Sequence, residues 1–270
     1  MRNLILFVLA AALSASTIWW GIGPHDEGLM LQAANRIASG ELPYRDFWWN
    51  YGPGQPLVLA VSDLLWERSL VPWRALRVLL DATVALLAFR LAEREVAGAV
   101  AADAGPSGRV AEVLPLLAWL AVAGAMAFPT GPHPNPAALA LGLGAILLAP
   151  RHAKTAGALA GLAAVFRPEI GAAAALGAAY VAWRRAPADA APPPSPASGL
   201  LVAGSALAVA VLGWLPFLVA APGELLDQTV GFLAIQDQQR LPFPLDAGGV
   251  GADPNKLVER FLPLILVAGA

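Results

Sequence analysis

Four long runs of almost uncharged, apolar residues constrain this chain more than any other feature. They span residues 4–20, 113–128, 136–150 and 200–221. A helix needs about 20 apolar residues to cross the hydrocarbon core of a bilayer, which is roughly 30 Å thick. Over the whole chain 58% of residues are hydrophobic and 13% are charged, whereas soluble domains carry about 25% charged residues. The pattern predicts a membrane protein with several spanning helices.

Shorter or less apolar segments complete a predicted set of about seven spans. A second span is predicted over residues 73–92 and a third over 110–128. Residues 156–166 and 170–183 are each too short to cross comfortably, and Arg167-Pro168-Glu169 separates them. We therefore expect two short helices that form a hairpin inside the bundle. The final ten residues are similar to the start of an eighth span, within which the chain ends.

The distribution of basic residues predicts the orientation of these spans. Two long polar loops, residues 21–56 and 222–260, fall on one side together with the turn 129–136 and Arg167. The basic residues fall on the other, cytoplasmic side: Arg2, Arg90, Arg94, Arg109, Arg151, Lys154, Arg184 and Arg185. We expect residues 1–270 to form a single multi-pass module in the plasma (inner) membrane, with both long loops outside.

Composition excludes several classes of function. The net charge is -2, so the chain has no basic excess that would indicate binding to nucleic acid. It contains no cysteine, which excludes disulfides, thiolate metal sites and thiol catalysis. The 3 histidines are scattered along the sequence, and this argues against a histidine-rich metal cluster.

The first polar loop carries the densest set of candidate functional residues. Asp26 and Glu27 directly precede an amphipathic helix whose apolar residues recur at helical spacing from Leu29 to Ala38. Gly40 suits the C-terminal cap of that helix. An acidic pair in this position can cap a helix and complement its dipole. A structural role and a chemical role are therefore both open for the pair.

The motifs of this loop resemble those of a known superfamily. Asp26-Glu27 is followed by the segment 39–46 (SGELPYRD) and by Tyr51-Gly52-Pro53. This order is similar to that of the C-type superfamily of integral-membrane glycosyltransferases (GT-C), nearest to the protein mannosyltransferases and aminoarabinose transferases. Residues 73–77 and 161–168 extend the similarity. The resemblance implies an all-α membrane protein, a polytopic transmembrane helical bundle of GT-C type with a helical first extracytoplasmic loop.

The resemblance also implies an activity. Such enzymes move a sugar from a polyprenyl-phosphate donor to a hydroxyl of a glycan, lipid or protein acceptor on the outer face. Asp26 matches the first acidic residue of the motif and would take the proton of the acceptor. Glu27 would orient the acceptor, bind a divalent cation or cap the helix. Arg167 would stabilise the phosphate leaving group, and a structural pair with Glu169 is an equal alternative.

Aromatic and polar side chains of the first loop are candidates for the sugar pocket, because aromatic rings pack against sugar faces. Trp48 and Trp49 could serve in the same way, but we expect them to act as anchors at the membrane interface. The residues predicted to contact the sugar are Tyr44, Arg45, Asp46 and Tyr51.

Polar residues elsewhere on the predicted outer face form a second set of candidates. His133 lies in the outer turn and Arg240 lies in the second long loop, and both are predicted to contact substrate. Arg74 and Arg77, near the outer end of the second span, are predicted to bind phosphate or lipid head groups.

Two other interpretations stay open. A transporter or another non-catalytic polytopic membrane protein would place charges in mid-span and relate its two halves by an internal repeat, and the sequence shows neither clearly. An inactive fragment of a glycosyltransferase is the second alternative, because residues 261–270 have no flanking segment after them. The sequence leaves the sugar, the acceptor and any requirement for metal undetermined.

Overall fold

The computed structural model describes residues 1–19, 26–66, 69–101, 108–127, 134–184 and 196–231, without the side chain of Asp26. The chain divides into two compact units, Met1–Leu225 and Leu226–Ala270. In the second unit the described residues are 226–231, of which Asp227–Gly231 form a short π-helical segment.

The described residues are almost entirely helical, and they contain no strand beyond an isolated bridge between Pro43 and Phe47. This confirms the all-α prediction. The predicted eighth span, residues 261–270, lies outside the described residues. The α-helices are α1 (Arg2–Ala15), α2 (Asp26–Ala38), α3 (Gly54–Trp66), α4 (Leu70–Ala101), α5 (Arg109–Ala127), α6 (Asn135–Leu148), α7 (Ala153–Phe166), α8 (Pro168–Arg184), α9 (Pro196–Ala220) and α10 (Pro222–Leu226).

Helices α1, α4 and α5 pack together through small side chains. Ala10, Ala82, Ala85 and Ala123 are all buried in their common core. Alanine allows helix backbones to approach closely, which favours dispersion contacts between them. Helix α4 has 32 residues, about 48 Å of helix, and it extends beyond the predicted span 73–92 at both ends.

Helices α6 to α9 form a second group in which glycines permit backbone contact. A Cβ atom on Gly157 of α7 would lie 2.3 Å from the carbonyl oxygen of Val202 in α9. A Cβ atom on Gly171 of α8 would lie 2.3 Å from the backbone nitrogen of Ala164 in α7. A larger residue at either position would force two helices apart.

The predicted break between two short helices is confirmed at Arg167. Its backbone is extended, with φ -144° and ψ 103°, because a following proline disfavours helical geometry at the residue before it. Pro168 then begins α8, where the first turn needs no N–H donor. Helices α7 and α8 consequently pack side by side as a hairpin.

The two ends of the first unit differ in chemistry. Arg94 of α4 donates hydrogen bonds to the carbonyl oxygens of Ile146 and Leu147 near the end of α6, and Arg2 pairs with Glu93. We call this end of the bundle the basic end. At the opposite end, which we call the loop end, the first loop meets the turn between α7 and α8.

Two helices among the described residues, α5 and α9, are long and apolar enough to cross a membrane. The protein buries only 17% of the apolar window of each. Helices α1, α6 and α7 are also apolar but have 14 residues each, about 21 Å of helix. The structure therefore supports membrane association through two helices that could span, by length and composition alone.

Helix α3 was not predicted from the sequence. It begins at Gly54-Gln55-Pro56, three residues that are all buried, in a segment whose glycines and prolines are typical of a turn. Proline is tolerated there because the N–H groups of the first helical turn have no intrahelical partner.

Candidate functional site

A hydrogen-bonded turn follows α2 in the first loop. Gly40 ends the helix with a φ of +92°, as its position in the sequence predicted. Arg36 in the last turn of α2 donates to the carboxylate of Glu41 (2.6 Å) and to the carbonyl oxygen of Asp46 (2.8 Å). The carboxylate of Asp46 in turn accepts a hydrogen bond from the backbone N–H of Leu42 at 2.8 Å. These bonds close the loop back on α2.

Arg45 and Asp46, both predicted to contact the sugar, form an ion pair on the surface of this turn. Arg45 donates to the two carboxylate oxygens of Asp46 at 3.0 Å and 2.8 Å. The side-chain hydrogen bonds from Arg45, together with the hydrogen bond from the N–H of Leu42, lower the pKa of Asp46 to about 2. Both side chains remain partly exposed, so an ionised pair is presented to solvent. Their contact with a sugar stays a prediction.

Tyr44 lies in a buried cluster and not in an open pocket. Its side chain is 1% exposed, and burial raises the pKa of its hydroxyl. The hydroxyl donates to the carbonyl oxygen of Tyr51 at 2.6 Å. The ring packs edge-on against Phe217 of α9 at 5.6 Å. Tyr44 thus fastens the first loop to α9, and a sugar could reach its ring only if the loop opened.

The two adjacent tryptophans of the loop have different environments. Trp48 is 50% exposed, which suits an interfacial anchor, whereas Trp49 is 0% exposed. The indole N–H of Trp49 donates to the carbonyl oxygen of Gly52 at 3.2 Å, and its ring packs against Phe47 and Tyr51. The prediction of interfacial anchoring is therefore wrong for Trp49, because its ring completes the hydrophobic core of the loop.

The end of the first loop lies directly on the turn between α7 and α8. A Cβ atom on Gly52 would lie 2.2 Å from the carbonyl oxygen of Val165 and 2.6 Å from that of Phe166. A Cβ atom on Gly54 would lie 3.0 Å from the ring of Phe166. The absence of side chains at both glycines allows the two backbones to make contact.

This contact brings together two of the predicted site residues, Tyr51 and Arg167. The guanidinium carbon of Arg167 lies 5.5 Å from the centroid of the Tyr51 ring, within the range of a cation–π interaction. Arg167 also pairs with Glu169, as the structural alternative predicted. Its side chain nevertheless keeps 23% of its surface exposed. A role in binding phosphate stays a prediction.

The acidic pair of the first loop begins helix α2. Asp26 is the first helical residue, and its side chain lies outside the described part of the structure. Glu27 is 5% exposed and accepts two hydrogen bonds from Arg74 of α4, at 3.2 Å and 3.3 Å. Arg74 also donates to the carbonyl oxygen of Ile18 at 2.5 Å. This buried pair holds the start of α2 against α4.

A second buried polar group lies one turn along α4. Arg77 donates to the hydroxyl of Thr17 at 2.5 Å and lies 3.5 Å from the carboxylate of Asp81. Asp81 accepts a hydrogen bond from the hydroxyl of Ser14 at 2.6 Å. The structure thus directs Arg74 and Arg77 into the bundle, where they link α4 to α1 and α2, and not toward phosphate or lipid head groups as predicted. Sequence reasoning missed Ser14, Thr17 and Asp81, although the spacing of Arg77 and Asp81 is typical of an i,i+4 pair.

The remaining candidates concern metal and the other outer loops. Among the described residues, no group of three histidine, aspartate or glutamate side chains could hold a metal ion. His133 and Arg240 lie outside those residues, so their predicted substrate contacts stay predictions.

In comparisons with known proteins, no family model, no curated protein and no solved structure matches the chain. The chemistry of the site must therefore be inferred from its own residues, a buried ion pair at the start of α2 and a partly exposed arginine beside the first loop.

Proposed function

We propose that this chain is a polytopic membrane glycosyltransferase of GT-C type that uses a polyprenyl-phosphate sugar donor. The observation that supports this most is the contact between the first loop and the Arg167 turn. That contact puts the first loop, which contains Asp26, at the same end of the bundle as a partly exposed cation. A transferase of this kind needs both a base for the acceptor and a positive group for the phosphate.

Surface chemistry supports the membrane part of the proposal. Helices α5 and α9 leave most of their apolar surface uncovered, and soluble monomers rarely expose apolar patches larger than a few hundred Å². Arginines cluster at the basic end, and basic residues favour the cytoplasmic side of a membrane. The loop end would then face outward, as a lipid-linked donor on the outer face requires.

The proposed reaction is a single substitution at the anomeric carbon. The acceptor oxygen forms a bond to that carbon, the bond from the carbon to the phosphate oxygen breaks, and polyprenyl phosphate leaves. The proton of the acceptor moves to the carboxylate of Asp26. Arg167 offsets the charge on the leaving phosphate. Glu27, fixed by Arg74, acts as a positioning residue that holds the start of α2.

Transfer from a pool of polyprenyl-phosphate sugars by the purified full-length protein tests this proposal. We expect product with the wild type and a loss of at least about 100-fold in turnover with Asp26→Asn, the scale of general base catalysis. The unfolding midpoint of Asp26→Asn should stay near that of the wild type.

Glu41→Gln is a matched control, because it removes a partly exposed carboxylate from the same loop and should leave turnover unchanged. Wild-type protein that transfers no sugar from any donor in the pool would contradict the proposal. Wild-type turnover in Asp26→Asn would remove Asp26 from the role of base.

A further inference from the structure

A cleft of about 930 Å³ lies at the basic end of the bundle, opposite the first loop. The last turns of α4 form one wall, and the turn that joins α6 to α7 forms the other. None of its lining residues belongs to the proposed transferase site, so any ligand held there would be separate from the donor and the acceptor.

The charged lining of the cleft has an excess of positive groups. Arg90, Arg94 and Arg151 line it together with two carboxylates, Glu93 and Glu95. Arg2, from outside the cleft, also pairs with Glu93. Within the cleft Arg90 pairs with Glu93 and Arg94 pairs with Glu95. Three arginines against two carboxylates leave an excess of one positive charge in the lining, which favours an anion.

Arg94 is fixed in place by the end of α6. It donates to the carbonyl oxygens of Ile146 and Leu147 at 3.3 Å and 3.4 Å and to the carboxylate of Glu95 at 3.2 Å. A guanidinium held in this way loses little further freedom when it binds an anion, which makes binding more favourable.

The start of α7 adds backbone donors beside these arginines. His152 lines the cleft and is the N-cap residue of α7, a helix of 14 residues, and its side chain makes no capping hydrogen bond. The first N–H groups of a helix have no intrahelical partner and favour anions, phosphate in particular. A cluster of arginines and a helix N-terminus without a side-chain cap therefore meet in one cleft.

The rest of the lining is apolar. Leu147, Leu148 and Pro150 on one side face Ala97 and Gly98 on the other. A small hydrophilic anion would gain nothing from this surface, whereas the glycerol and upper acyl carbons of a lipid would bury it. The combination fits an amphiphilic ligand with a phosphate head.

We propose that this cleft binds the phosphodiester head group of an anionic membrane lipid. The phosphate lies between the arginines and the start of α7, and the glycerol and upper acyl carbons lie between the apolar residues of the two walls. The bound lipid would be a structural component of the basic end, and this proposal does not rest on the proposed transferase activity.

Titration of phosphatidylglycerol into the full-length protein in neutral detergent, followed by native mass spectrometry, tests this proposal. We expect saturable binding that Arg90→Gln and Arg151→Gln each weaken about fivefold, because a basic residue contributes about 1 kcal/mol to binding an anionic membrane. Gly98→Leu should abolish the binding, since a Cβ atom there meets no heavy atom within 4 Å and the side chain can enter the cleft without disturbing the fold.

Three controls separate this site from general charge attraction. Arg109→Gln removes an exposed arginine that does not line the cleft, and Gly124→Leu adds the same side chain at an equally open glycine of α5; both should bind phosphatidylglycerol normally. Phosphatidylcholine should bind weakly. Equal weakening in Arg90→Gln and Arg109→Gln, or normal binding by Gly98→Leu, would overturn the proposal. Glycerol 3-phosphate could also compete at the concentration at which phosphatidylglycerol saturates the protein. That result would assign the cleft to a soluble phosphate ester and would overturn the proposal of a lipid ligand.

Discussion

Gly52→Ala is expected to lower the free energy of unfolding by roughly 3 kcal/mol, the upper part of the usual range for overpacking. The added methyl group would lie 2.2 Å and 2.6 Å from two carbonyl oxygens at the end of α7. Both are backbone atoms, so no side chain can rotate away, and the loop must separate from the Arg167 turn. Thermal unfolding of the purified protein should show a midpoint about 6–12 °C below that of the wild type.

Gly28→Ala is the matched control for this substitution. Gly28 lies in α2, and a Cβ atom there meets no heavy atom within 4 Å. Because alanine has the higher helix propensity, this variant should be as stable as the wild type or more stable by about 1 kcal/mol. A Gly52→Ala protein with the same unfolding midpoint as the wild type would show that the first loop does not lie on α7. Any folded Gly52→Ala protein should also lose turnover, since the loop and Arg167 would no longer be in contact.

Glu27→Gln is expected to destabilise the protein by about 3–5 kcal/mol, the usual cost of removing one partner of a buried ion pair. The substitution leaves the guanidinium of Arg74, which is 13% exposed, without a carboxylate partner in a largely buried position. The start of α2 would lose its ion pair with α4. Chemical unfolding monitored by tryptophan fluorescence would measure the difference.

A double-mutant cycle identifies the cause of that loss. Arg74→Met should cost a similar amount alone, and the combination of Glu27→Gln with Arg74→Met should recover part of it, because no buried charge then remains unpaired. Glu41→Gln breaks a more exposed pair with Arg36 and should cost less than about 1 kcal/mol. Additive effects of Glu27→Gln and Arg74→Met would contradict the pairing.

The effects of Glu27→Gln and Asp26→Asn on stability and turnover should therefore differ. The first lowers stability together with turnover, because Glu27 positions α2 through Arg74. The second should lower turnover alone. Equal losses of stability in both variants would mean that the carboxylate of Asp26, like that of Glu27, supports the fold, and would withdraw Asp26 from catalysis.

Local sequence patterns predicted much of the helical structure. The spacing of apolar residues after Glu27 and the position of Gly40 predicted α2 and its end, and Pro168 predicted the break at Arg167. These signals succeed because each depends on residues within one or two helical turns. The same logic failed for α3, whose first residues, including Gly54 and Pro56, are also typical of turns.

Contacts between distant segments could not be read from the sequence. Glu27 and Arg74 are 47 residues apart, and no local pattern relates them. Trp49 is as aromatic as its neighbour Trp48, yet only tertiary packing decides which of the two is buried. The sequence predicted that Tyr51 and Arg167 lie on the same side of the membrane. It did not predict that the two side chains are in contact. Local chemistry thus identified the candidates, and the fold determined which of them meet.

The proposed function depends most on one statement about topology, that the first loop and the Arg167 turn face the outside together. The chain contains no cysteine, so single cysteines can report this directly. Ser39→Cys in the loop, Glu169→Cys beside Arg167 and Thr155→Cys near the basic end all replace exposed residues. Each would be treated in intact cells with a membrane-impermeant maleimide. We predict labelling at 39 and 169, and labelling at 155 only after the membrane is opened. Labelling of 39 and 169 from opposite sides, or of all three positions in intact cells, would contradict the proposed topology.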